Sequence, residues 1–317
     1  MKNKKIQIFL ITILLFGMTG CTKYLKDENK QIIKNEETGQ NITSNILCKP
    51  TDKDILDIYD KYNETAKSEN KIKIDELEEC NDLKVFGGKY EGIWTSIFVK
   101  PLAWLIIKVG GLVKSYGLSI ILTTLLIRLV VYPFTKKTAM QSENLQKAKP
   151  ELDKLEKKYN NKTDQESMMQ KSQEMLMIYK KYDINPMSGC IFSLIQIPLF
   201  FAFYEALNRL PVIFEENLGP FQLGTSPLVA LKAGNYYYLI FVVLVVLTTY
   251  FSFKLNSGAS MNKDQADQMK TMTNVMVIMI SVMSFGISTG IALYWIFNSG
   301  FTVLQNLYVK RSKLNAK

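Results

Sequence analysis

Arg128 is embedded in Ile120-Ile121-Leu122-Thr123-Thr124-Leu125-Leu126-Ile127-Arg128-Leu129-Val130-Val131, a run that is otherwise apolar apart from two threonines. A charge at the centre of a lipid-facing helix costs about 2.5–3.5 kcal/mol on the insertion scale, so such residues usually face a bundle interior or a wet cavity. The chemistry on offer is electrostatic: hosting an anion in transit, with no bond to break. Phe134, which marks the end of the run, lies six residues further on. That is about 9 Å at 1.5 Å per residue, and an arginine snorkelling to that end is the competing structural reading. Thr124 and Tyr132 sit one turn to either side on the same helical face, which draws a polar stripe along the helix. Other apolar runs bring Gln196, Tyr294, Trp295, Asn298 and Gln305. Glu205 falls near the end of its run, with Arg209 as its candidate partner, so no acid stands opposite Arg128. That pattern points to water and a visiting anionic partner.

The rest of the chain offers little catalytic equipment. There is no histidine, which excludes Ser-His-Asp and Cys-His nucleophile systems and the usual catalytic zinc sets. The four cysteines, Cys21, Cys48, Cys80 and Cys190, form no metal-ligand spacing. No P-loop motif is present, and the expectation is a non-enzyme that needs no cofactor and no metal. The formal net charge is +10. Because the lysines flank apolar runs, membrane orientation accounts for them better than a specific nucleic-acid partner does.

The elements that must position these residues are helical. Residues 1–20 read as an export signal, with Lys2, Lys4 and Lys5 ahead of the apolar stretch Ile6 to Met18. Met18-Thr19-Gly20-Cys21 is similar to a bacterial lipobox, with Cys21 as the lipid anchor; an uncleaved anchor with an incidental cysteine is the alternative. Residues 21–92 read as an exported polar tail, since 22–92 holds 16 acids against 12 lysines. Partial disorder is expected there, with a weak helix from Asp52 to Lys67. Cys48 and Cys80 either form a bridge or stay as separate thiols. Residues 93–114, with Trp94, Trp104 and interspersed lysines, suggest an interfacial amphipathic helix.

Five transmembrane helices are expected at 115–135, 189–207, 236–254, 271–287 and 288–309, the last two separated by a tight turn. They are joined by a 208–235 external loop and a 255–270 cytoplasmic loop, and a basic tail follows at 310–317. The 136–188 segment carries 11 lysines, whereas the loop between the second and third spans offers only Arg209 and Lys232. The basic side is cytoplasmic, which puts the N-terminus outside and the C-terminus inside. Within 136–188, Ala148, Leu152, Leu155 and Tyr159 form one apolar stripe and Met168, Ser172, Met175 and Tyr179 another, the pattern of an antiparallel coiled-coil hairpin. Thr163-Asp164-Gln165-Glu166 fits a capping box with Thr163 as the cap, and Asn185-Pro186 is expected to end the second helix.

Taken in order, these motifs resemble the YidC/Oxa/Alb membrane protein insertases. The likeness runs from Tyr116-Gly117-Leu118-Ser119-Ile120 through Arg128 to Pro133. It continues in Gln146 to Tyr159, Tyr179-Lys180-Lys181-Tyr182-Asp183-Ile184-Asn185-Pro186, Leu194-Ile195-Gln196-Ile197-Pro198 and Phe203-Tyr204, and ends in Gly290-Ile291-Ala292-Leu293-Tyr294-Trp295 through Asn298 to Gln305. A lipobox with five spans is similar to the Gram-positive type.

The resemblance implies an all-α polytopic protein whose spans surround a hydrophilic groove. It places Arg128, Gln196 and Trp295 in the polar lining, and Thr124, Tyr132, Phe200 and Tyr294 where a substrate segment slides. The implied function is to move hydrophobic segments and short polar tails of nascent membrane proteins into the bilayer, alone or with the Sec translocon. Membrane lipids are implied partners, and the hairpin is the candidate contact for a ribosome or a signal-recognition receptor. The rival reading is a solute or ion transporter, which would usually carry inverted repeats; none is visible here.

Overall fold

Asp52 accepts hydrogen bonds from the amides of Asp54 and Ile55 and opens helix α1 (Lys53–Thr65) in what reads as a polar tail. The computed structural model describes residues 22–87, 90–160, 162, 164–185, 188–256 and 263–315. The signal expected at 1–20, the expected anchor Cys21 and the expected cap Thr163 lie outside these residues. Two compact units are present: Met1–Thr124 with Gln196–Val242 and Phe285–Trp295, and Leu125–Ile195 with Val243–Ser284 and Ile296–Lys317.

In the first unit the N-terminal segment is folded, where partial disorder was expected. Isolated antiparallel bridges join Tyr24 to Thr43, Lys26 to Ile32 and Lys34 to Asn41. Leu25, Ile42, Ile46, Ile55, Tyr59 and Ile74 form a core together with Phe214. The Tyr59 hydroxyl donates to Thr43 O at 2.6 Å, and burial pushes its pKa above the ordinary tyrosine range. Few large apolar residues are available locally, so the segment completes its core with a phenyl ring from the 208–235 loop. Glu215 of the same loop accepts from the Thr51 amide, the Thr51 hydroxyl and the Asp52 amide.

Cys48 and Cys80 are joined by a disulfide across 32 residues. Closing a loop of that size stabilises by about 2–4 kcal/mol. Replacing both cysteines by serine in the whole protein should therefore speed protease cleavage within α1. Cleavage rates that match with and without the bridge would show that the small core holds unaided.

A π-helical turn (Thr95–Val99) leads into α2 (Lys100–Val113), where Pro101 fits because the first helical turn needs no amide donor. The helix ends at Lys114, whose φ is +53°. The start of α3 (Tyr116–Tyr159) is held by the Tyr116 amide donating to Glu216 at 2.6 Å. Ser119 donates to Ile106 O, which ties α3 to α2. The loop carries α6 (Pro211–Glu215), a hairpin of β1 (Asn217–Leu218) and β2 (Phe221–Gln222), and α7 (Pro227–Lys232). Gly219 supplies φ of +61° at the first position of the two-residue hairpin turn, where L side chains are disfavoured.

The second unit contains the remainder of α3, which stays helical through Pro133 and Pro150. Its partner α4 (Gln165–Lys181) is capped by Asp164, which accepts from the Ser167 amide at 2.8 Å. The cap is thus Asp164, one residue past the expected Thr163; an ionised carboxylate suits the positive end of the helix dipole. The helix also ends before Asn185-Pro186. Asp183 takes φ of +52°, Ile184 N bonds Tyr179 O at 2.8 Å and Asp183 N bonds Lys180 O at 3.2 Å, a Schellman closure.

Glu151 pairs with Lys181, and Lys158 with Glu174 at 2.6 Å, so α3 and α4 run antiparallel here. Ala148, Leu152, Leu155 and Tyr159 are all buried. The facing stripe differs from the expected one: Met168 and Ser172 are exposed, while Lys171, Met175, Ile178 and Tyr179 turn inward. Lys171 can lie there because Glu156 meets its ammonium at 2.7 Å. Hydrogen bonds from Lys181 and Tyr182 hold the Glu151 carboxyl below its usual pKa. Those from Lys158 and Tyr159 do the same for Glu174. With pKa values depressed in the folded state, these contacts are intact above the ordinary carboxylate range and are lost as pH falls through the lowered values.

Helices α5 (Ser188–Arg209), α8 (Leu239–Asn256), α9 (Lys263–Met283) and α10 (Thr289–Asn315) complete the chain. Among the described residues, three helices are long and apolar enough to cross a membrane: Thr95–Val113, Tyr116–Tyr159 and Tyr236–Leu255. Lys270–Met283 is a shorter apolar helix. The first of the three is the segment expected to lie in the interface.

Candidate functional site

Arg128 is 2% exposed, and its Nε donates to Asn298 Oδ1 of α10 at 2.7 Å. Two turns further along both helices, Thr135 and Gln305 exchange hydrogen bonds of 3.0–3.1 Å. Both pairs are 170 residues apart in sequence, so α3 and α10 run parallel along this stretch. The Thr302 hydroxyl donates to Asn298 O, and the Asn306 amide to Thr302 O. The result is a buried polar ladder of Arg128, Thr135, Asn298, Thr302, Gln305 and Asn306 inside otherwise apolar helices.

Burying such groups costs free energy unless each finds a partner, and these bonds run to the facing helix or back along the residue's own helix. Tyr132 is half-buried, with its ring edge-on to Phe301 at 6.4 Å. Asn298 and Gln305 were visible in the sequence as polar residues in an apolar run. Thr135, placed at the very end of the expected span, gave no comparable signal.

The remaining expected groove residues fall in the first unit. Phe200 meets Trp295 at 5.1 Å and Tyr294 at 6.3 Å. Tyr294 is 1% exposed and stacked on Phe203 at 4.3 Å, so its ring belongs to an aromatic core. Thr124 is buried, and its hydroxyl donates to Ile120 O at 2.6 Å, within its own helix. Gln196 is half-buried.

The structure thus brings Phe200, Tyr294 and Trp295 together in one unit, and Arg128 with Asn298 in the other.

A second buried arginine occupies the first unit. Arg209 is fully buried, with NH1 on Glu205 at 2.9 Å, NH2 on Glu91 at 2.6 Å and Nε on Asn45 O at 2.6 Å. Glu205 also accepts from Trp94 Nε1 at 3.0 Å. The Leu47 amide donates to Arg209 O and the Thr43 hydroxyl to Asn208 O, laying the 43–47 segment across the end of α5. The Glu205–Arg209 spacing gave half of this cluster away, whereas Glu91 and Asn45 carried no local signal.

Apolar helices with a paired arginine buried among them define a helical membrane protein that keeps its polar chemistry inside. Residues 108–317 match the family described as 60Kd inner membrane protein, and the chain belongs to this family, that of the YidC/Oxa/Alb insertases. It is 35% identical over 232 residues to the membrane protein insertase YidC of Oceanobacillus iheyensis, covering 72% of this chain and 87% of that protein. Membrane protein insertase MisCA of Bacillus subtilis is 34% identical over 218 residues, covering 68% and 79%. A crystal structure of an active YidC insertase with its first transmembrane domain resolved is 23% identical with a TM-score of 0.46; the match covers 68% of this chain and 46% of that one.

Proposed function

We propose that this protein is a membrane protein insertase that moves hydrophobic segments and short polar tails of nascent membrane proteins into the bilayer through a polar groove. The relatives named above as insertases support the activity, and the buried Arg128 beside Asn298 carries the mechanism. A short acidic tail crossing an apolar bilayer must shed its water. A guanidinium held part-way along the path lowers that barrier by attracting the acid transiently, and it remains charged at any physiological pH. The substrate's apolar helix then leaves sideways into lipid. No bond is made or broken.

Five spans are part of this reading, in α3, α5, α8, α9 and α10. Two helices that cross a bilayer in the same direction need an odd number of crossings between them; the parallel run of α3 and α10 supports the three that α5, α8 and α9 supply. The α3–α4 pair then projects as a cytoplasmic coiled-coil hairpin, a contact for the ribosome, a signal-recognition receptor or the Sec translocon. The folded N-terminal segment stands outside, tethered through lipidated Cys21. Photocrosslinkers at positions 128, 200 and 295 should capture stalled nascent chains of a small membrane protein. Silence from all three, with solute uptake by reconstituted vesicles, would favour a transporter instead.

A further inference from the structure

Phe86 is 91% exposed, more than any other large hydrophobic side chain among the described residues. It belongs to a loop that is firmly built. Lys108 Nζ donates to Asn81 O at 2.8 Å and Lys100 Nζ to Gly87 O at 2.7 Å, which pins both ends of 81–87 to α2. The residue before the loop, Cys80, is bridged to Cys48. Between loop and helix lies an open cleft of about 630 Å³ lined by Lys84, Phe86, Trp104 and Lys108, with Asp82 as its one acid. Lys84 also meets Glu78 at 3.5 Å in an exposed pair. Trp104 and Lys108 sit on the helix face that exposes Ile97 and Leu112, at steps of seven, four and four residues. The cleft is therefore continuous with an apolar helix flank.

We propose that this cleft seats the phosphate headgroup of an anionic phospholipid, with Lys84 and Lys108 on the phosphate and Phe86 and Trp104 against the first carbons of the acyl chains. Lysine beside tryptophan at the edge of an apolar surface is the chemistry of the headgroup level: the ammonium meets phosphate, the amphipathic ring straddles the boundary, and the stems cover apolar area. An ammonium has three donors, so Lys108 can bond a phosphate while keeping Asn81 O. A second protein is a poorer occupant, because the flank beside the cleft belongs to a helix long and apolar enough to meet lipid itself. The site shares no residue with the polar ladder. It requires α2 to lie at the headgroup level in the plane of the membrane, because Trp104 falls midway along Thr95–Val113 and would sit at mid-membrane in a crossing helix.

The test is quenching of Trp104, taken as the difference between the native protein and Trp104→Phe, by brominated lipids in phosphatidylcholine vesicles holding the full-length chain. Brominated phosphatidylglycerol should quench at a lower mole fraction than brominated phosphatidylcholine. Lys84→Gln, which leaves both pinning bonds in place, should weaken that preference roughly fivefold, and Lys84→Arg should restore it. Phe86→Ser should lower quenching by both lipids. Equal quenching by the two lipids, or a preference untouched by Lys84→Gln, would overturn the proposal. So would displacement of brominated phosphatidylglycerol by millimolar inorganic phosphate, which would assign the cleft to a soluble anion.

Discussion

Arg128→Ala should lower insertion of a small membrane protein with an acidic translocated tail by roughly tenfold or more. The estimate takes about 1.5–3 kcal/mol for a hydrogen bond to a charged group as the attraction lost along the substrate's path. Two stability effects oppose each other in this variant. Removing the charge recovers at most the roughly 2.5–3.5 kcal/mol that an unpartnered arginine costs at a helix centre, while Asn298, whose Oδ1 accepts from Arg128, loses that partner at a cost of about 1–3 kcal/mol. The variant should therefore accumulate to about the native level, which separates lost activity from lost protein. Arg128→Lys keeps the charge and should keep much of the activity for acidic tails. Asn298→Leu keeps the charge but removes the acceptor of Arg128 Nε, and should fall between native and alanine. Protease protection of a reporter tail in cells depleted of the native protein measures all four. Native insertion of every acidic-tailed substrate by Arg128→Ala would remove the Arg128 charge from the proposed mechanism.

Arg209→Met should be the most destabilising single substitution in the first unit. It strands Glu205 and Glu91 beside each other and leaves Asn45 O without its donor. Breaking a buried pair from one side typically costs about 3–5 kcal/mol. The N-terminal segment should lose its seat on α5, seen as rapid trypsin cleavage between residues 22 and 87 while the hairpin region is cut at the native rate. Adding Glu205→Gln and Glu91→Gln should recover part of the loss, because the stranded charges go with them. Native cleavage kinetics in Arg209→Met would mean the cluster is dispensable.

How much of this was legible beforehand depends on whether neighbours in space were neighbours in sequence. Arg128 announced itself because a charge in an apolar run is costly wherever the helix turns it. The stripe Ala148, Leu152, Leu155 and Tyr159 was legible because helical periodicity is local, and all of it is buried. The facing stripe failed at Met168 and Ser172 because an apolar template cannot foresee that Lys171 turns inward when Glu156 is waiting. The N-terminal core failed for a different reason. Ile55 and Tyr59 keep helical spacing on α1, but Leu25, Ile42, Ile46 and Ile74 are scattered outside it, and the core is completed by Phe214 from far along the chain. In the ladder, Asn298 and Gln305 stood out as amides in an apolar run, yet Thr135 was an ordinary residue at a helix end until Gln305 met it. Thr124 and Tyr294, which the resemblance places where a substrate slides, are both buried, the first bonded to Ile120 O and the second stacked on Phe203.

The 170 residues between Arg128 and Asn298 also set a clock. At about 5–20 residues per second, roughly 10–30 s of synthesis separate the first from the second. Through that interval the growing chain has Arg128 to place before the Asn298 amide that receives its Nε has been made. The seat of the guanidinium is therefore completed only when α10 emerges, and the order of synthesis makes α10 the element that finishes the ladder.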